Sequence, residues 1–174
     1  MFSTGVLWLF RLLHIGSGVF WVGAILVFLR FIFPTAKALG PAAGPFMDHM
    51  TRVLKMPQAL MGAAVVNVLS GLGLFWHVTL GFQKDMMRLP AVMVLGTGGL
   101  LAILALIIGI TVNRPTADKI GALGAKIHSQ GGPPTAEQKA EMERLQARIG
   151  SALHAVAGLL VLTVAAMALA RYVN

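Results

Sequence analysis

The chain reads as an all-α integral membrane protein, a four-transmembrane-helix bundle. Hydrophobic residues fill 57% of its 174 positions and charged residues only 11%, whereas a soluble domain carries about 25% charged residues in order to face water. Mean hydropathy is +0.80. Apolar runs recur four times, at 5–33, 58–82, 89–112 and 149–170, and each can cross ~30 Å of hydrocarbon at ~1.5 Å per residue. None alternates apolar with polar residues, as the strands of a membrane barrel would.

The first run is interrupted only by Arg11, His14 and Arg30. It is too long for a signal peptide and no cation precedes it, so it reads as a retained helix. The net charge of +8 does not point to nucleic acid, because the basic residues flank apolar runs, as membrane topology requires. Arg30, Lys37, Arg52, Lys55, Arg114, Lys119, Lys126, Lys139, Arg144 and Arg148 belong to the side that holds the two long connections. Arg11, Lys84, Arg88 and Arg171 belong to the other. The positive-inside rule then puts the long connections in the cytoplasm and both termini outside, in an inner (cytoplasmic) membrane. Trp8, Trp76 and Tyr172 fall at the outer interface, where amphipathic aromatics anchor helices.

The long connections carry structure of their own. Gly40-Pro41 and Gly44-Pro45 break the chain, after which 46–56 predicts a short interfacial helix running into the second span. Thr135 with Gln138 forms a Thr-x-x-Gln capping signature that starts a helix continuous with the fourth span. Ile120, Leu123 and Ile127 face Met142, Leu145 and Ile149 as matching apolar stripes. They predict a cytoplasmic helical hairpin over 116–148, an extension of helices three and four.

Polar side chains at membrane depth are costly and tend to be functional. His14 and His77, both counted outward from the middles of their spans, fall at similar depths. Ser17, Gly18 and Trp21 follow His14 at helical spacing, and Asn67 and Ser70 precede His77 the same way. Two neutral imidazoles on neighbouring helices, in a chain with no cysteine, suit a six-coordinate haem b. Serine and asparagine would orient the rings. Arg11, one turn from His14, is placed to pair with a haem propionate or a quinone oxygen, or to snorkel to the interface. His49 and His154 make a second, weaker pair on the cytoplasmic side, for a further haem or a metal ion. The methionines cluster at helix ends, which favours apolar filler over a copper path. No span holds Asp or Glu, no phosphate loop or catalytic triad is present, and cysteine chemistry is excluded. Gly96, Gly98 and Gly99 offer a small-residue face that would let a flat macrocycle lie against the backbone, and that permits helix dimerisation without demanding it.

Leu13-His14-Ile15, then Trp21-Val22-Gly23 and Arg30, resembles the opening helix of small polytopic haem-type membrane proteins. These include HemJ-type protoporphyrinogen oxidases and the CopD-like copper-resistance domain. Met50-x-Arg52-x-Leu54-x-x-Pro57 is similar to the HemJ segment that leads into its second span. The resemblance covers roughly the first 60 residues and implies, by analogy, a haem-ligand role for His14. The third and fourth spans do not carry the HemJ pattern: they read Gly96-Thr-Gly-Gly99 and Ser151-Ala-Leu-His154. The function expected is haem b binding and electron transfer, with quinone or a redox protein as partner. A CopD-like copper-handling protein and a non-catalytic accessory subunit are the alternatives.

Overall fold

The computed structural model describes residues 2–173, the Pro41 side chain apart. The described residues are helical, with no strand. Four helices are long and apolar enough to cross a membrane: α1 (Thr4–Leu39), α3 (Met56–Val78), α5 (Pro90–Ser129) and α6 (Ala136–Tyr172). Two short helices lie between them, α2 (Gly44–Asp48) and α4 (Lys84–Met87). Successive long helices run antiparallel. One end of the bundle therefore gathers the start of α1, the end of α3, the start of α5 and the end of α6. Trp8, Trp76 and Tyr172 are all exposed at that end.

The two widest interfaces are α1 on α3 and α5 on α6, joined through α3 on α5 and closed by a smaller contact of α1 with α6. Trp21, Ile25, Ala64, Ala105, Val156 and Leu160 form the core where all four meet. Trp21 is 4% exposed, so it belongs to this core and not to a surface beneath His14. Outward-facing Leu12, Ile15, Val19, Leu69 and Leu100 are largely uncovered, as expected where lipid takes the place of water. The glycine run on α5 is used within the chain. A Cβ on Gly98 would lie 3.1 Å from the Ala166 methyl, and the Thr163 hydroxyl of α6 donates to the Gly98 carbonyl at 3.2 Å.

Prolines decide where the helices bend or stop. A helical proline lacks an N–H and crowds the carbonyl four residues back. Pro34 and Pro115 each have that carbonyl inside a wider, π-type turn: Arg30 in Phe28–Ile32 and Thr111 in Gly109–Asn113. Widening the turn relieves the crowding. At Pro34 and Pro115 the helix therefore continues, and α1 and α5 run past the ends expected at 33 and 112. At Pro57 it does not. Lys55 adopts a left-handed conformation (φ 51°) and separates the 44–53 helical segment from α3, so the helix expected over 46–56 stops short of the second span.

The second span also ends earlier than 82. Thr79, fully buried, donates from its hydroxyl to the Phe75 carbonyl at 2.8 Å and accepts from the Phe82 N–H at 3.1 Å. That bracket holds Leu80, Gly81 and Phe82 in consecutive left-handed conformations, which L-residues adopt at a cost of about 1–2 kcal/mol each.

α5 and α6 form a hairpin beyond the four-helix core. Leu145 is buried in it, with Ile120, Leu123, Ile127 and Met142 partly covered. Gln130 and Gln138 exchange amide hydrogen bonds at 3.2 and 2.9 Å across its tip. Thr135 and Gln138 close a full capping box at the start of α6. On its exposed face the Arg144 guanidinium, bonded at 2.7 and 2.8 Å, holds the Glu141 carboxyl below its ordinary range. Replacing Thr135 with Ala should cost about 1 kcal/mol of local stability. Hydrogen exchange should accelerate over 136–140 with the core of the bundle unchanged; equal acceleration in α1 and α3 would contradict a locally stabilised hairpin.

Candidate functional site

The polar residues buried between α1 and α3 form one reciprocal joint. An α-helix pairs its backbone groups with one another, so a further bond to one of its carbonyls comes from a side chain, on the same helix or on a neighbour. The His14 ring nitrogen Nδ1 lies 2.8 Å from the Asn67 backbone carbonyl, and the Asn67 amide Nδ2 donates to the His14 carbonyl at 2.7 Å. A carbonyl can only accept, so Nδ1 carries a proton, and in the neutral ring the lone pair is then on Nε2. The Ser70 hydroxyl donates into the same Asn67 carbonyl at 3.1 Å. Asn67 and Ser70 are both buried. Ser17, by contrast, turns its hydroxyl back onto its own helix, to the Leu13 carbonyl.

Glycine makes the joint possible. A Cβ on Gly18 would lie 2.7 Å from Asn67 Nδ2, and one on Gly71 would lie 2.8 Å from His14 Cε1. Both are closer than real Cβ contacts, so a larger residue at Gly18 would displace the Asn67 amide, and one at Gly71 the His14 ring. His14 itself is only partly buried, and its Nε2 has no hydrogen-bond partner among the described residues. Arg11, one turn away, is exposed and forms no ion pair among the described residues.

His77 is not brought to His14. The His14 ring packs on Gly71, and His77 lies six residues farther along α3, about 9 Å by helical rise. Phe10 covers Gly73 in that interval. Phe2 sits edge-on to Phe10 at 5.1 Å and stacks on the His77 ring at 5.9 Å. His77 Nδ1 is enclosed without a hydrogen-bond partner. The two imidazoles therefore do not face each other across one metal atom in this arrangement.

His49 and His154 are not gathered either. His49 is exposed on the His49–Val53 turn. His154 lies on α6, its Nδ1 tied to the Gly150 carbonyl at 2.8 Å, and it lines a groove with Leu26, Arg30, Phe33 and Lys37 that does not include His49. No cluster of three or more metal-ligating side chains occurs among the described residues. Sequence spacing pointed to Asn67 and Ser70 as companions of His77, but Asn67 bonds His14, and Ser70 bonds the Val66 and Asn67 carbonyls of its own helix. The spacing shared by His14 with Gly18 and by Asn67 with Gly71, a polar residue four before a glycine, was the available clue, since small residues let helix backbones approach closely.

A clean test follows from Gly18, because Asn67 is its only close neighbour across the interface. Gly18→Ala alone should destabilise the detergent-solubilised protein by about 1–3 kcal/mol. In an Asn67→Ala background the same change should cost little. Additive losses in this double-mutant cycle, read by thermal melting, would contradict the joint.

Comparison with family models, with curated proteins and with solved structures finds no match for this chain, so the resemblance to HemJ-type and CopD-like proteins rests on the residues quoted from 13 to 57 alone.

Proposed function

We propose that the chain is a multi-pass protein of the inner (cytoplasmic) membrane that binds one haem b through His14 and takes part in electron transfer. The observation that supports this most is the state of the His14 ring. Histidines that ligate metals characteristically donate their other nitrogen to a carbonyl or carboxylate, which fixes the tautomer and raises basicity. His14 has that arrangement through Asn67, and Nε2 is left unpartnered. The donor set fits one iron–imidazole bond from this chain rather than the two expected from sequence. His14 would hold the iron, and Arg11 would pair with a propionate. When bound, the haem supplies one-electron chemistry. The residues hold the imidazole in one orientation and tautomer, and the apolar helices around it lower the dielectric and so bear on the potential. Quinone in the bilayer or a redox protein is the proposed exchange partner.

The proposal includes the topology. The cation distribution favours the 44–53 segment at the cytoplasmic interface, the hairpin in the cytoplasm and both described ends outside. With no native cysteine, single reporters are straightforward. In intact cells Lys84→Cys should react with a membrane-impermeant maleimide, and Ser129→Cys only after lysis; the reverse pattern would invert the orientation.

Haem is tested by the absorption spectrum of protein purified from haem-replete cells. A Soret band at about one haem per chain is expected. His14→Gly should lose it and regain it with added imidazole, and His77→Ala should keep it. Colourless protein that retains copper would favour the CopD-like alternative. Colourless, metal-free protein whose melting temperature falls on His14→Gly would leave the joint as a helix fastening in an accessory subunit.

A further inference from the structure

A groove of about 690 Å³ opens on the outer surface of the bundle between α1 and α6, at the hairpin end. Its volume is in the range of about 300–1,000 Å³ usual for small-molecule sites. Its lining is divided along its length. Leu26, Val27 and Leu29 form the wall nearer the middle of the helices, and Phe33 follows them. Arg30 and Lys37, from the same stretch of α1, line the groove too. Both are exposed, and neither forms an ion pair. The ion pairs among the described residues are Arg52 with Asp48 and Arg144 with Glu141. No Asp or Glu lines the groove. On the facing helix, His154 has Nδ1 committed to the Gly150 carbonyl, which leaves Nε2 as an acceptor, or a donor when the ring is protonated.

We infer that this groove is a binding site for an anionic phospholipid drawn from the leaflet on the hairpin side. Its acyl chain lies along Leu26, Val27 and Leu29, and its phosphate sits against Arg30 and Lys37. His154 supplies a further polar contact from α6. Charge complementarity selects the occupant. Two cations without a carboxylate between them attract a net-negative headgroup, and they repel the ammonium of a zwitterionic one at the same distance. A soluble anion would leave the apolar half of the groove unused. The site is independent of the haem reading, since it shares no residue with the His14 joint.

Native mass spectrometry of the purified protein, titrated with phosphatidylglycerol and with phosphatidylcholine of the same chains, tests the site. Wild type should retain the anionic lipid preferentially. Each cation should contribute about fivefold near a negatively charged headgroup, so the Arg30→Gln, Lys37→Gln pair should bring the preference close to that for phosphatidylcholine. Lys84→Gln with Arg88→Gln, at the opposite end of the bundle, should leave it unchanged. Equal retention of the two lipids by wild type would overturn the inference, as would an unchanged preference in the Arg30, Lys37 variant. Displacement of the lipid by millimolar inorganic phosphate would also overturn it, making this a soluble-anion site. So would a tetrapyrrole isolated in the groove and lost on His154→Ala.

Discussion

Inside hydrocarbon a helix has no water to lend its backbone, and its neighbours can reach it only where side chains are missing. The junction of α1 with α3 rests on that constraint. Gly18 and Gly71 remove two Cβ atoms, and through the gaps Asn67 and His14 each reach the other's backbone carbonyl. The exchange sets helix spacing and register together, since sliding by one residue would break both bonds. It also fixes a proton on one nitrogen of a single imidazole. Structure and chemistry are thus decided by the same four residues.

The four spans were legible because ~20 apolar residues in a row have few other folds open to them. The hairpin tip was legible too, because Thr135 and Gln138 satisfy one another locally, without help from the rest of the chain. The depth of the histidines was not. Taking the second span as 58–82 puts its middle near Ser70, whereas α3 runs Met56–Val78 and centres on Asn67. The difference arises at Thr79, whose buried hydroxyl ends the helix and turns the chain through left-handed residues while the sequence is still apolar. Hydropathy does not register such a stop. Counted from the true centre, His77 is ten residues away, about 15 Å, while His14 is level with Asn67 itself.

Asn67 and Ser70 read from the sequence as companions of His77, whereas Asn67 bonds His14 and Ser70 bonds the Asn67 carbonyl. Periodicity assigns residues to a face of their own helix; it does not say which residue of the next helix meets that face. That information lay in the glycines. A glycine tolerated on a lipid-exposed surface and a glycine demanded at a crossing look identical in one sequence, and only the neighbouring atoms distinguish Gly18 and Gly71 from Gly16 and Gly62, which have open space around them.

The widened turn at Gly109–Asn113 has a consequence for the long rod in which it sits. One additional residue wound into a turn advances the angular phase of everything beyond it by about 100°. α5 is continuous from Pro90 to Ser129, and both its halves pack on α6: Gly98 meets Ala166 before the turn, and Ile120, Leu123 and Ile127 are partly covered along the hairpin beyond it. The turn lets two stretches meet one partner in different phase, so an apolar stripe read at the regular spacing of ~3.6 residues per turn does not carry across it.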